Sequence, residues 1–437
     1  TGVRIAEVSF VGSGGVVLRG SVVGPAAAAG RRPAVVMLSG AGNTGRAELL
    51  PEAEAFARHG IVTLVYDKRT VGYSLFQRDY SVLADDALAG LRLLRTRADV
   101  DPARVGLWAL SEGAFVAPLV ADRSTDVEFL ITVGAVGVTP AEQTAWAYGE
   151  FLRHDGVSGS LPHMMQVTAT RVVAGAKLFP EADFDPVPAW EHVRQPVLAQ
   201  WGELDRQAVP VQSSQIIERA LRKGGNTNYT IRFVPGTRHD LNLTADGGFD
   251  RTSDLSPDYG DVEAVWITAL PNGPTAVSTA APTQDQPSRP VTPLAWWESP
   301  GVQLAAILLF LVAFAGYPVT AVVRRLLGRR GGPPVVRPAR WLAATGLAST
   351  VGFLGYLFFL LATAANILGV VVLGRPIPWL VLQILAVAIV VSTVVTAVQW
   401  RRHNRDLSRV DRMRLGLLVT AGFVFLPWAV YWGLLVP

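Results

Sequence analysis

Three residues in this 437-residue chain have the types and setting for acyl chemistry: Ser111 in a tight turn, Asp205 at the end of an apolar run, and His239 in a loop beyond a later one. A serine hydroxyl is a weak nucleophile near neutral pH. It needs a base within hydrogen-bond reach, and the base needs a carboxylate to hold its useful tautomer. Residues 104–118 read RVGLWALSEGAFVAP, a β-type run that breaks at Ser111 before Glu112, Gly113 and Ala114 open a helical pattern. That is the strand, sharp turn and helix of a nucleophile elbow. Small residues at Ala109 and Gly113 keep such a turn from striking its neighbours.

Of six histidines, only His239 follows a late strand, in the loop PGTRHD. His59 ends a predicted helix and His192 precedes a strand. His154 and His163 fall in a helical insertion, where they are at most substrate-side residues, and His403 lies in a loop between C-terminal helices. Asp205 closes the run PVLAQWGELD; Glu203, two residues earlier, is the rival carboxylate and reads as a solvated turn residue. A tetrahedral intermediate needs backbone N–H donors aimed at its oxyanion. The amide of Glu112 is one candidate. The second should come from the glycine-rich loop 39–45, at Ala41. That loop lacks the Lys-Ser/Thr of a phosphate cradle. The absence of cysteine excludes disulfides, thiol catalysis and cysteine metal sites, and the chain gives no sign of a metal or cofactor.

Placing these residues requires a scaffold. Runs at 4–10 and 16–23 alternate as a hairpin. Strands are expected at 33–38, 61–66, 105–110, 129–133, 196–201 and 229–234, with helices near 47–59, 83–97, 212–223 and 258–270 and another behind Ser111. Strands and helices alternating at this spacing imply a mainly parallel sheet covered on both faces, with functional groups at the carboxyl ends of its strands. Between about 139 and 190 the alternation gives way to a helical stretch, read as an inserted cap. An α/β domain is thus expected over 1–270, followed by a Pro/Thr/Ala-rich linker at 271–299, flexible or polyproline-like, and a four-helix transmembrane domain over 300–437.

The four apolar spans, near 301–323, 341–363, 377–399 and 415–436, each approach the roughly 20 residues that cross a bilayer. None contains a charge, which argues against an ion or proton path. Gly346, Ser349, Gly352 and Gly355 read as close helix packing. From residue 301 onward there are 13 basic residues against two acidic, whereas residues 1–300 hold 26 against 33. The basic pI therefore describes the tail and gives no support for nucleic-acid binding. Arginines crowd the connections 324–340 and 400–414, while the middle one has only Arg375. The positive-inside rule makes those two loops cytoplasmic and the α/β domain extracytoplasmic, at a multi-pass cell membrane. Trp296, Trp297, Trp428, Tyr431 and Trp432 suit an aromatic belt on the outer side.

Residues 1–270 resemble the α/β-hydrolase superfamily, and within it the prolyl-oligopeptidase-type and dienelactone-hydrolase-like serine hydrolases. The stretches that carry the resemblance are LSGAGNTGR (38–46), YDKRTVGYS (66–74), GLWALSEGAFVAP (106–118), VGAVGVTPAEQ (133–143), VLAQWGELDRQAVP (197–210) and VPGTRHDL (234–241). The order Ser111, Asp205, His239 is the one these enzymes use. The resemblance implies these three as a catalytic triad, Ala41 and Glu112 as oxyanion donors, and residues 67–69 as a structural turn beside the site. Ser39 stands where a histidine is usual, and Ala109 where the first elbow glycine is usual; both are small and leave the backbone donors available. The expected function is a membrane-anchored extracytoplasmic serine hydrolase, of esterase or peptidase type, that cleaves an ester, thioester or amide through an acyl-serine. Its substrate would be a small molecule, peptide or lipid. The alternatives are an acyltransferase acting on envelope components and a non-catalytic membrane-bound scaffold, for which the four helices could hold a protein partner.

Overall fold

The computed structural model describes residues 2–26, 30–74, 76–250, 252–272, 278–328, 336–403, 405 and 407–437. Arg329, Arg330 and Asp406, which enter the loop charge, lie outside the described residues, as does 273–277 of the expected linker. The chain divides into two compact units, Thr1–Ala147 with Lys177–Pro290, and Tyr148–Ala176 with Val291–Pro437.

The first unit is built on eight strands: β1 (Val3–Val11), β2 (Val17–Pro25), β3 (Arg32–Leu38), β4 (Val62–Tyr66), β5 (Val100–Leu110), β6 (Leu130–Val133), β7 (Val197–Gly202) and β8 (Tyr229–Val234). They form one sheet in the order β1-β2-β4-β3-β5-β6-β7-β8. The β1–β2 and β2–β4 pairs are antiparallel, and every pair from β4–β3 to β7–β8 is parallel. Because side chains alternate along a strand, both faces of the parallel strands must be apolar. Val36, Leu38, Leu107 and Ala109 enter one core with helices α2 (Tyr80–Arg95), α3 (Gly113–Arg123) and α8 (Pro210–Lys223). Val35, Met37 and Trp108 enter the other, with α1 (Leu50–Arg58) and α9 (Asp261–Ala269). This order and this two-sided cover are the α/β-hydrolase fold.

Local chemistry sets the helix starts. The helix expected from 47 begins instead at Leu50, after a 3₁₀ turn, since Pro51 suits only a first helical turn. The start of α2 moves to Tyr80, where the Asp79 carboxylate accepts from the amides of Ser81 and Val82.

Residues 139–190 are mainly helical, as α4 (Pro140–His154), α5 (Ser160–His163), a π-helical turn, α6 (Thr170–Gly175) and α7 (Val187–His192), with loops at 155–159 and 176–186. Their apolar side chains part company. Trp146 and Trp190 belong to the core of the first unit, whereas Tyr148, Leu152, Leu161, Met164 and Met165 belong to that of the second. The described part of the expected linker also differs from a flexible tether. Thr279 N–H donates to the Ile231 carbonyl, and its hydroxyl accepts from Phe233 N–H, so the segment runs along β8, whose outer edge would otherwise leave these groups unpaired.

In the second unit, α10 (Pro300–Leu326), α11 (Val336–Ala362), α12 (Ile377–His403) and α13 (Arg409–Tyr431) are each long and apolar enough to cross a membrane. Helix α10 packs on α11 and α13, α11 on α12, and α12 on α13. A short hairpin, β9 (Val371–Val372) and β10 (Arg375–Pro376), joins α11 to α12. Residues 148–176 lie at that end of the bundle: Ser158 N–H donates to the Gly374 carbonyl at 2.8 Å, the Ser160 hydroxyl to Gly433 at 2.7 Å, and Arg171 pairs with Glu298 at 2.7 Å. Chain direction puts Arg324, Arg325, Arg401 and Arg402 at the opposite end. The expected aromatic belt is only partly exposed. Trp296 and Trp297 are exposed, but Trp428 and Trp432 are buried against Phe310 and Phe353.

Candidate active site

Ser111 occupies the turn between β5 and α3 with φ +52°, a left-handed conformation that costs a non-glycine residue energy and recurs at functional sites. Its N–H donates to the Val133 carbonyl at 2.9 Å, which ties the turn to the end of β6. The turn presses on β3, so α3 opens on a glycine: a Cβ on Gly113 would lie 2.5 Å from the Leu38 carbonyl oxygen.

Asp205 and His239 come together behind the ends of β7 and β8. His239 Nδ1 and Asp205 Oδ2 are 2.9 Å apart, and both side chains are buried. Asp205 Oδ1 accepts from the amides of Gln207 at 2.7 Å and Ala208 at 3.0 Å, so both carboxylate oxygens are held. The two loops are zipped together by Leu204 N–H donating to the Thr237 carbonyl at 2.9 Å. Glu203 is exposed and, among the described residues, accepts from Gly236 N–H, so the pairing distinguishes the two carboxylates. Burial pushes the His239 imidazole down, but the charge and hydrogen bond of Asp205, with Asp240 adding, outweigh it and raise the pKa above its ordinary value. Among the described residues His239 Nε2 is buried without a hydrogen-bond partner, so it makes no bond to Ser111 Oγ. Both residues nevertheless flank the end of β6. Next to Val133, a Cβ on Gly134 would come within 2.6 Å of His239 Cε1. Catalytic hydrogen bonds of this kind often tighten only when substrate binds.

Ala41 is exposed in the loop after β3, and Gly40 faces Ser111, where a Cβ would sit 3.6 Å from the serine Cβ. Neither Ala41 N–H nor Glu112 N–H donates to a backbone carbonyl among the described residues, which leaves both amides available to an acceptor. The other histidines are engaged elsewhere: His59 with Ala55 and Asp261, His403 with the Gln399 carbonyl, and an exposed His192 with Asp122. His154 and His163 belong to the second unit. Among the described residues no group of three or more His, Asp or Glu is placed to hold a metal.

Sequence reasoning missed what lies behind Ser111. The Glu112 side chain is buried, with Lys68 Nζ at 2.8 Å and Arg78 Nη1 at 2.7 Å. The Tyr73 hydroxyl donates to Glu112 Oε1 at 2.7 Å. Of the expected structural turn, Asp67 pairs with Arg46 and Arg69 with Asp86, while Lys68 reaches this cluster. One signal was present: Lys68 is one of three lysines among 39 basic residues.

The fold is that of the α/β-hydrolases, and the Ser111 turn and the His239–Asp205 pair lie at the same end of its sheet. No family model matches the chain. It is similar to the polyketide transferase claH of Penicillium crustosum, 30% identical over 135 residues that cover 30% of this chain and 44% of that protein. It is also similar to the thiohydrolase apmlB of Arthrinium phaeospermum, 32% identical over 131 residues, 29% of this chain and 42% of that one. The chain thus spans less than half the length of these curated relatives. Among solved structures, the acylaminoacyl peptidase of Pyrococcus horikoshii is 16% identical with a TM-score of 0.43, covering 64% of this chain and 43% of that one.

Proposed function

We propose that this chain is a membrane-anchored serine hydrolase that opens an ester, thioester or amide bond through an acyl-Ser111 intermediate. The observation that carries the reading is the buried His239–Asp205 pair at 2.9 Å, with Nε2 unpaired, on the same sheet end as the strained Ser111 turn. In this reading Ser111 Oγ attacks the acyl carbon while its proton passes to His239 Nε2. Asp205 holds the imidazole through Nδ1 and stabilises the imidazolium. The amides of Ala41 and Glu112 receive the developing oxyanion. His239 then protonates the leaving group, and water, deprotonated by the same nitrogen, releases the acid. Acyl transfer is the second reading, because one curated relative is named a transferase and the other a thiohydrolase. In it an alcohol or amine replaces water in the last step. The arginine-rich ends of the bundle support a cytoplasmic location for those loops, and the α/β unit is then extracytoplasmic.

The test is covalent labelling of the full chain in detergent with a fluorophosphonate. Wild type is expected to label and Ser111→Ala to remain unlabelled; equal labelling of the two overturns the reading, and no labelling of either favours a scaffold. Product analysis with and without an added alcohol or amine separates hydrolysis from transfer.

A further inference from the structure

Lys68 is almost wholly buried, and burial pushes its ammonium below the ordinary lysine value even with the Glu112 carboxylate opposing that shift. A cation is costly to desolvate, so its partners show what it holds in place. Lys68 Nζ donates to the Gly40 carbonyl and to Glu112 Oε1 and lies 3.3 Å from the Tyr73 hydroxyl. The Gly40 carbonyl shares a planar peptide with Ala41 N–H. In a trans peptide the two point in opposite directions, so a cation fixed on the carbonyl aims the N–H away from itself. The cation also polarises that amide and strengthens it as a donor. One residue on, Gly42 N–H donates to the Tyr73 hydroxyl at 3.0 Å, and that hydroxyl in turn donates to Glu112 Oε1. The loop bearing Ala41 is therefore pinned on both sides to one carboxylate. That carboxylate belongs to the residue whose own N–H is the other expected oxyanion donor. Arg78 Nη1 lies 2.7 Å from the other oxygen, Oε2, so both oxygens of that carboxylate are held.

We propose that Lys68 is a positioning residue for oxyanion binding, locking the Gly40–Ala41 peptide so that both backbone donors share one fixed frame through Glu112. This inference rests on the acyl-serine reading above. Its role is exerted through the peptide, without contact to substrate, so its loss should weaken binding of the tetrahedral state more than that of the ground state.

The experiment uses the full chain in detergent, an alkyl trifluoromethyl ketone as probe, and ¹⁹F NMR to detect its hemiketal with serine. Kinetics with a p-nitrophenyl ester run alongside. Lys68→Met is expected to weaken ketone binding and lower kcat by about 10- to 100-fold while KM stays within about twofold. Lys68→Arg should recover part of both, at an unchanged unfolding midpoint. Should Lys68→Met not fold, Lys68→Gln, which keeps a donor without the charge, is expected to lose several-fold in the same two readouts. A folded neutral variant that binds the ketone as wild type does overturns the inference and leaves the acyl-serine reading standing. A wild type that forms no more hemiketal than Ser111→Ala overturns that reading, and the inference with it.

Discussion

The two units bury polar groups in opposite ways. The α/β unit buries ions: Glu112 with Lys68 and Arg78, Asp86 with Arg69, and Asp205 with His239. Within the bundle, the buried hydroxyls of Thr345, Thr350 and Thr393 bond to carbonyls one turn back in their own helices, at 2.7, 2.8 and 2.7 Å. Among the described residues, ion pairs such as Arg171–Glu298 and that of Asp411 with Arg324 and Arg414 lie outside or at the ends of the four long helices. Desolvating an ion pair costs several kcal/mol and returns little stability by itself. The α/β unit tolerates that cost where charge must be held in a set geometry. The bundle, whose helices bond to themselves and face outward with apolar side chains, keeps it to the helix ends and the segments beside them.

Chain order cuts across this contrast, because residues 148–176 interrupt the α/β unit yet bury Tyr148, Leu152, Leu161, Met164 and Met165 in the core of the second. The largest effect should therefore come from cutting the chain after Pro290. The truncated protein is expected to aggregate, read by size-exclusion chromatography, because that apolar face loses its partners. The same truncation with 148–176 replaced by a Gly/Ser linker of similar length should give a soluble species. If the simple truncation is already monomeric and folded, the insertion belongs with the α/β unit after all.

The next effect tests the held ion pair directly. Asp205→Asn is expected to lower kcat about 10⁴-fold, since the base loses its tautomer and its stabilising charge. The pH dependence follows from the sign of the His239 shift. Burial lowers the imidazole's pKa, but Asp205 outweighs it and raises it. A general base must be neutral, so on the proposed reading wild-type kcat/KM is expected to fall as pH decreases through a pKa above the ordinary histidine value. Without the charge, burial dominates and that limb moves to lower pH. A variant whose limb stays put assigns the ionisation to another group.

Much of the α/β unit was legible in the sequence, because its strands are short apolar runs bounded by turns and its helices carry a 3.6-residue period. Asp205 and His239 could be paired on paper since each directly follows a strand, and parallel strands deliver their ends to one edge. Lys68, Tyr73 and Arg78 could not. They sit in an irregular loop, and nothing periodic says that their side chains converge on Glu112. The division of residues 139–190 was equally hidden: apolar helical positions announce burial without naming the core that receives them. Along α11 a row of small residues reads as one packing stripe, but which of them meet a neighbour depends on how the helices pack.

A smaller effect concerns the turn that carries Ser111. Gly113→Ala would push a methyl group against backbone, the Leu38 carbonyl at 2.5 Å, which cannot rotate away as a side chain can. The expected loss is about 1–3 kcal/mol, seen as a lowered unfolding midpoint together with slower fluorophosphonate labelling. A normal midpoint with slowed labelling would place the strain in the elbow alone.

The smallest effect comes from the bundle, and it runs the other way. A Cβ on Gly346 would meet the Phe314 ring at 2.6 Å, whereas one on Gly355 meets nothing within 4 Å. Gly346→Ala should therefore destabilise, because the ring must shift within a packed core. Gly355→Ala should stabilise by about 0.5–1 kcal/mol, since alanine loses less backbone freedom than glycine on entering a helix. Unfolding midpoints of the two variants in detergent provide the comparison. If Gly355→Ala is as damaging as Gly346→Ala, the outward face of α11 is itself a packing surface, and the bundle associates through it with another helix.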